Sequence, residues 1–121
     1  MMVAEKKRKT RKNVPVFEGK IPFITSLLLN SVDKKIVKNI YLFGSYARGT
    51  ANANSDIDIC VVIDDKAEYD DTNIKMQGAF CDNGIYPADL LVYHQKEFRE
   101  AQKNRGIQYV AKNYGVLLYG K

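Results

Sequence analysis

Alternation of polar and apolar residues from Asp56 onward is the feature that most limits how this chain can fold. The run 56–63 reads Asp-Ile-Asp-Ile-Cys-Val-Val-Ile. A period of two places the aliphatic residues at positions 57, 59, 61 and 63 on one face of a β-strand, which is the face toward a core. Asp56 and Asp58 then project together from the opposite face, about 6 to 7 Å apart at a rise of roughly 3.3 Å per residue.

Two carboxylates on one strand face raise each other's pKa unless a cation offsets their repulsion. Oxygen ligands of this kind favour hard ions such as Mg²⁺ or Mn²⁺. The pair formed by Asp56 and Asp58 therefore predicts a divalent metal site. For an Asp-x-Asp pair considered alone, the alternative is a turn residue followed by a solvated aspartate on a half-exposed sheet.

A phosphate-binding turn is predicted just before this strand. The short apolar run Asn39–Phe43 ends at Gly44-Ser45 and is followed by Tyr-Ala-Arg-Gly, which indicates a strand, a tight turn and one turn of helix. Gly44 lets the backbone approach a ligand, and Ser45 offers a hydroxyl and backbone N–H groups at the positive end of a helix dipole. Arg48, one turn further on, can add a charge-assisted contact to the same anion. A simple helix N-cap and a surface arginine are the alternative.

A third carboxylate, Asp89, lies in another predicted strand, Pro87–Tyr93. The apolar residues at positions 88, 90 and 92 share one face of this strand, and Asp89 lies on the other. An adjacent strand can bring its carboxylate beside Asp56 and Asp58. Asp89 is therefore the candidate third metal ligand, and an aspartate following a turn at a strand edge is the alternative.

The string from Gly44 to Gly49, the Asp-x-Asp pair after Ser55 and Asp89 about thirty residues on resemble the minimal nucleotidyltransferase domain of the polymerase-beta-type superfamily. The resemblance covers about residues 21 to 119. It implies an α/β (α+β) fold with a small mixed sheet of about four strands packed with helices. Small single-domain members resemble the antitoxins of HEPN/minimal-nucleotidyltransferase toxin–antitoxin pairs, which transfer AMP from ATP to a tyrosine of the HEPN toxin. Relatives often carry arginine where this chain has Tyr46.

The resemblance also implies a role for each motif residue. Gly44 and Ser45, with Arg48, would bind the triphosphate of ATP. The catalytic and metal-binding residues would be three carboxylates: Asp56, Asp58 and Asp89. They would hold one or two Mg²⁺ or Mn²⁺ ions, which in a two-ion site lie about 3.5 to 4 Å apart, and Asp89 would bind the second ion or accept the attacking hydroxyl's proton.

The chain has the length of one domain, with 121 residues and 45% hydrophobic content. No room remains for an acceptor-binding domain, so the acceptor is expected to come from a partner, a HEPN-type toxin, in a hetero-oligomer, or from a homodimer. One alternative function is nucleotidyl transfer to a small hydroxylated molecule such as an aminoglycoside. Another is a non-catalytic module that neutralises its partner by docking, which would have no need of three carboxylates at one site.

Charge is concentrated at the amino terminus. Residues 1–12 hold six basic residues and one acidic residue, which accounts for the net charge of +5 of the whole chain. The remaining 13 basic and 13 acidic residues cancel, so bulk charge does not make the domain a polyanion-binding surface. Residues 1–13 are predicted to be a disordered basic tail, with an arm for an acidic partner or nucleic acid as the alternative, and residues 14–121 the nucleotidyltransferase domain. The absence of a signal-peptide core and of a run near 18 apolar residues predicts a cytoplasmic protein without membrane contact.

Three longer helices are predicted around the strands. Apolar residues at three- and four-residue steps predict the first between Ile21 and Val32, with a proline tolerated in its opening turn. Residues 71–82 form the second, which is predicted from Ile74, Ala79 and Phe80 and ends at Asp82-Asn83-Gly84. The third is predicted from Lys96 to Asn113.

Four residues are expected to be buried along this third helix: Phe98, Ala101, Ile107 and Val110. Gly115 is predicted to form its C-terminal cap, and a last strand is predicted within 114–119. Neither Cys60 nor Cys81 has metal-ligand spacing, and His94 has no partner that would make it a base, so none of the three is predicted to be catalytic.

Overall fold

A four-stranded mixed sheet with helices on both faces forms the part of the chain that the computed structural model describes, residues 18–121. The strands are Val37–Phe43 (β1), Ile57–Ile63 (β2), Ala88–His94 (β3) and Val116–Tyr119 (β4). The α-helices are Ile21–Ser31 (α1), Gly44–Arg48 (α2), Tyr69–Asp82 (α3), Gln95–Ala101 (α4) and Ile107–Tyr114 (α5). Short 3-10 turns cover Glu18–Lys20, Lys34–Ile36 and Gln102–Asn104. The predicted fold class is confirmed, whereas the predicted basic tail, residues 1–13, lies outside the described residues.

Strand order in the sheet is β3-β2-β1-β4. β1 is antiparallel to both β2 and β4, and β2 is parallel to β3. A parallel pair needs a crossover connection, which α3 supplies. As a result, the amino ends of β2 and β3 and the carboxyl end of β1 meet at one end of the sheet.

The predicted alternation along β2 decides which face of the sheet is the core. Its four odd-numbered aliphatic residues are fully buried and pack against Ile24 and Leu28 of α1 and Met76 and Phe80 of α3. The opposite face packs a smaller cluster, in which Tyr41 stacks on Phe98 of α4 with ring centroids 5.6 Å apart. The even-numbered residues of β2, Asp58 among them, therefore lie on the face that α4 and α5 cover.

The predicted second helix exists, and Phe80 faces the core from it, whereas Ile74 does not. It begins at Tyr69 rather than position 71, and Ile74, one of the apolar residues from which it was predicted, is 69% exposed. Thr72, Met76 and Phe80 are its buried residues. They recur at steps of four, which align on one side of a helix, whereas position 74 falls on the other side.

The predicted helix from Lys96 to Asn113 is wrong, because the chain forms two helices there. Between them Arg105 adopts a left-handed conformation with φ 53°. The break is held by Gln102, whose Nε2 donates to the carbonyl oxygens of Phe98 at 3.2 Å and of Gln108 at 3.1 Å. Ile107, predicted to be buried, begins α5 and is 46% exposed.

Gly115 caps the end of α5, as predicted, and its N–H donates to the carbonyl oxygen of Ala111 at 3.1 Å. Its backbone is extended, with φ −87° and ψ −178°. A Cβ at this position would collide with the carbonyl oxygen of Ala111 and lie 2.6 Å from that of Leu42. The turn from α5 into β4 is therefore pressed directly onto β1.

Among the helices of residues 18–121, none combines the length and the apolarity that crossing a membrane requires.

Candidate active site

The predicted carboxylates meet at the end of the sheet where β1 stops and β2 and β3 begin. In the strand register, Asp58 lies opposite Phe43 of β1 on one side and Asp89 of β3 on the other. Neighbouring strands are roughly 4.8 Å apart. The structure therefore brings Asp89 directly beside Asp58.

The electrostatics of Asp58 reflect this crowding. Its pKa is raised from 3.8 to about 6, first by burial, then by the charge of Asp89 and a side-chain hydrogen bond with it, and then by the charge of Asp56. The positive charge of Arg48 acts in the opposite direction on the same pKa. The four predicted charged residues thus form one electrostatic group at the end of the sheet.

Gly44 brings the predicted phosphate-binding turn into contact with the Asp-x-Asp pair. It follows β1 with φ +74°, and a Cβ built on it would collide with the Oδ2 atom of Asp58 and come within 3.0 Å of its Cγ. The left-handed backbone and the close approach both exclude an ordinary side chain. The carboxylate of Asp58 therefore lies against the Cα of Gly44.

The turn after β1 continues into α2, with Ser45 as its second residue. No side chain in the described chain caps the start of this helix, and the first N–H groups of any helix have no partner within it. Gly49 ends the helix in a left-handed conformation, and the N–H of Thr50 donates to the carbonyl oxygen of Ser45 at 3.0 Å. Arg48 is exposed, so its guanidinium can reach an anion bound at this turn.

A turn that the sequence analysis did not identify leads into the Asp-x-Asp pair. The N–H of Asn52 donates to Ser55 Oγ at 2.9 Å, and that of Asn54 donates to Asn52 Oδ1 at 2.8 Å. Asparagine and serine form such turns by bonding to their own backbone. This local network ends directly before Asp56 and sets where β2 begins.

The chemistry of the carboxylates fits a divalent ion. Within residues 18–121, no three carboxylate, imidazole or thiol groups are already gathered closely enough to hold a metal. Asp58 and Asp89 are in contact, however, and the repulsion that raises the pKa of Asp58 is what a cation would remove. Asp56 is exposed, so its side chain can turn toward such an ion without disturbing the packing. The donor set is all oxygen, as Mg²⁺ and Mn²⁺ prefer.

Other reactive side chains lie away from this site. His94 ends β3, five positions from Asp89, and its Nε2 lies 2.9 Å from the carbonyl oxygen of Ala67. A concave region of about 740 Å³, lined in part by His94 and Glu97, is at that far end of the sheet. Cys60 is fully buried, and burial raises the pKa of its thiol to about 12, so it stays protonated.

Stability of the ligand-free protein should depend on pH through Asp58. Because its pKa is higher in the folded state than in the unfolded chain, the folded state binds the proton more tightly between about pH 4 and 6. The free energy of unfolding should therefore fall as pH rises through this window, by about 1 kcal/mol after allowance for solvent screening of a half-exposed group. Urea unfolding at pH 4 to 8 with a chelator would measure this as the difference between the native chain and Asp58→Asn. A difference that is constant with pH would contradict it.

Comparison with known proteins identifies the family of this chain. The sequence model of the nucleotidyltransferase domain matches residues 26–117, and no curated protein matches the chain. A chain in the crystal structure of a toxin–antitoxin with AMP-PNP is 25% identical in sequence to this one. Its TM-score is 0.55, and the match covers 84% of this chain and 74% of that chain. A mutant toxin–antitoxin MntA-HpeT, with two aspartates two positions apart changed to glutamate, is also 25% identical, with a TM-score of 0.54 over 82% and 72%.

A candidate nucleotidyltransferase from Sulfolobus solfataricus shares the fold at 22% identity, with a TM-score of 0.54 over 83% of this chain and 77% of that one. Since the family match spans three quarters of the sequence and covers β1, β2 and β3 with their carboxylates, this chain belongs to the nucleotidyltransferase domain family.

Proposed function

We propose that this protein transfers AMP from ATP to a hydroxyl group, a tyrosine side chain, of a HEPN-type toxin and thereby acts as its antitoxin. The observation that carries the proposal is the contact of Asp58 with both Asp89 and Gly44 in a nucleotidyltransferase domain. That contact combines a phosphate-binding turn and a carboxylate pair in one site. Phosphoryl and nucleotidyl transfer need little from a protein beyond positioning and charge stabilisation.

The nucleotide would bind at the turn between β1 and β2. Gly44 and Ser45 start α2, and their N–H groups have no partner within the helix. The exposed Arg48 would add a positive charge to the triphosphate. In support, a solved toxin–antitoxin of similar fold contains AMP-PNP, an analogue of ATP.

The transfer itself would be a displacement at the α-phosphorus of ATP. The acceptor oxygen forms a bond to this phosphorus, the bond to the bridging oxygen of the β-phosphate breaks, and pyrophosphate leaves. Asp89, exposed beside Asp58, would accept the proton that the acceptor hydroxyl releases. The product is an AMP ester of the acceptor.

Three carboxylates would hold one or two Mg²⁺ or Mn²⁺ ions: Asp56, Asp58 and Asp89. When bound, such ions neutralise the charge of the triphosphate and of the departing pyrophosphate. Asp58 contacts both the nucleotide-binding turn, at Gly44, and the neighbouring carboxylate, Asp89. It therefore orients the metal-binding side chains relative to the nucleotide turn.

The partner assignment is supported by the similarity to toxin–antitoxin complexes at 25% identity. We expect a hetero-oligomer with the toxin. Because the reaction consumes ATP, the proposed place of action is the cytoplasm.

Incubation of the full chain with a HEPN-type toxin, labelled ATP and Mg²⁺ would test the proposal. Intact-mass measurement should show one or more AMP units on the HEPN-type protein and none on this chain. Omission of the divalent ion, by chelation, should abolish the labelling while a complex between the two proteins still forms.

Two results would contradict this function. Complex formation that neutralises the toxin without any added AMP would identify a non-catalytic binding module. Labelling of a small hydroxylated molecule such as an aminoglycoside, with no labelling of the protein, would identify a different acceptor class.

A further inference from the structure

Exposed apolar side chains are concentrated at one lateral edge of the sheet, on α5 and on both faces of the edge strand β4. Four of the seven large hydrophobic residues that are exposed in the described chain lie within positions 107 to 117. They are Ile107 (46% exposed), Tyr114 (69%), Val116 (44%) and Leu117 (43%). Ile107 and Tyr114 are seven positions apart, on the same side of α5, and Val116 and Leu117 begin β4. We call these four residues the α5–β4 surface.

The backbone at this surface is also open. β4 is the outermost strand and pairs only with β1 within residues 18–121, so its other edge presents unpaired N–H and C=O groups. Monomeric proteins usually blunt such an edge with charge, proline or a covering segment. β4, which reads Val-Leu-Leu-Tyr, contains neither charge nor proline.

The part of the sequence that contains the surface carries basic charge only. Residues 101–121 contain four basic side chains and no acidic one. The basic residues are Lys103, Arg105, Lys112 and Lys121. Residues 13–100, by contrast, contain 9 basic and 13 acidic residues. The neutral sum over the domain therefore combines a negative stretch of sequence with a positive one, and the α5–β4 surface belongs to the positive stretch.

The surface adjoins the candidate active site. Val116 pairs with Leu42 of β1, and Asp58 pairs with the next residue, Phe43, from the other side. Two strand spacings, roughly 10 Å, therefore separate Val116 from Asp58. The close approach of Gly115 to the carbonyl oxygens of Ala111 and Leu42 holds the turn before β4 against the end of β1.

We infer that the α5–β4 surface is where the acceptor protein docks, and that this partner presents an apolar face bordered by acidic side chains. The inference rests on the proposed function for the identity of the acceptor. Apolar contact with Tyr114 and Leu117 supplies affinity, because aromatic residues in the centre of an interface contribute most of the binding energy. The basic side chains select an acidic border and speed the encounter. A protein bound here lies close enough to Asp58 to present a hydroxyl to the nucleotide.

The charge of the surface argues against two other occupants. A second copy of this chain, related by a two-fold axis, would bring the same four basic residues against each other. Nucleic acid would be attracted by the charge, but it makes no use of the exposed aliphatic residues Ile107, Val116 and Leu117.

Calorimetric titration of the full chain with the HEPN-type toxin that it labels would test the inference. Tyr114→Ser should weaken binding at least tenfold, whereas Ile74→Ser, which removes an equally exposed apolar residue on α3, should leave the dissociation constant unchanged. Lys112→Glu should weaken binding and reduce its dependence on salt, with the exposed Lys34→Glu as the matched control.

AMP transfer to the same protein separates this inference from the proposed function. Tyr114→Ser should raise the KM for the acceptor while kcat at saturating acceptor is retained, because Asp58 and its neighbours are untouched. If the native chain binds and labels the acceptor but Tyr114→Ser behaves like Ile74→Ser, the docking surface is wrong and the proposed function stands. If the native chain neither binds nor labels the HEPN-type protein, both are wrong.

Two further outcomes would contradict only the identity of the partner that binds the α5–β4 surface. Sedimentation of the isolated chain as a dimer that Tyr114→Ser dissociates would assign the surface to a second copy. Binding of a labelled RNA oligomer that Lys112→Glu abolishes, with affinity for the HEPN-type protein unchanged, would assign it to nucleic acid.

Discussion

Asp58→Asn is expected to reduce nucleotidyl transfer by about 10³-fold or more while the protein remains folded. The substitution removes the carboxylate that contacts both Asp89 and Gly44, and loss of a metal-binding charge removes several kcal/mol of transition-state stabilisation. Because asparagine has nearly the same shape as aspartate, the packing against Gly44 is retained. AMP incorporation measured by intact mass at saturating ATP and acceptor would determine the loss.

The same variant should be more stable than the native chain when no divalent ion is present. Above pH 6 the native protein must hold a charged Asp58 against burial and against the neighbouring Asp89 and Asp56, and asparagine removes this opposition. Added Mg²⁺ or Mn²⁺ should raise the melting temperature of the native chain and have little effect on the variant. Asp82→Asn, at an exposed position at the end of α3, serves as the control. Unimpaired AMP transfer by Asp58→Asn would refute the assignment of this site.

Gly44→Ala is expected to destabilise the protein by about 2 to 5 kcal/mol and to abolish transfer. About 1–2 kcal/mol comes from a left-handed backbone at φ +74°. A further amount, about 1–3 kcal/mol for an overpacked site, comes from the collision of the new Cβ with the carboxylate of Asp58. Urea unfolding would measure the sum.

Gly49→Ala is the matched control for the first contribution. Gly49 has φ +75°, but a Cβ there has no heavy atom within 4 Å, so only the backbone strain should appear. In an Asp58→Ala background, the destabilisation caused by Gly44→Ala should fall close to that caused by Gly49→Ala, because the colliding Oδ2 and Cγ atoms are gone and only the Cβ of residue 58, at 3.3 Å, remains. Strict additivity of Gly44→Ala and Asp58→Ala would show that the contact does not exist.

Local sequence patterns were sufficient to predict which residues of a strand are buried. The alternation along β2 predicted the buried face, and all four residues on it are fully buried. The spacing in sequence between the Gly-Ser pair and the Asp-x-Asp pair did not predict that the two pairs are in contact. Only the register of β1 with β2 brings Gly44 against Asp58.

Helix predictions failed where periodicity alone could not decide. Ile74 fits a helical spacing but is exposed, because α3 turns Met76 and Phe80 toward the sheet. The predicted helix from Lys96 to Asn113 is interrupted at Arg105, where Gln102 bonds to the carbonyl oxygens on both sides of the break. Such bonds join residues across a turn, and a single-residue propensity does not contain them.

The sequence by itself determined the strands, the mixed α/β composition and the residues that could bind phosphate and metal, because side-chain alternation and turn chemistry are local properties. The tertiary structure alone decided which of these residues meet. The parallel pairing of β2 with β3 set Asp89 beside Asp58. Edge placement of β4 left apolar side chains exposed next to the site. Strand order and register depend on contacts between distant segments, so no window of sequence could specify them.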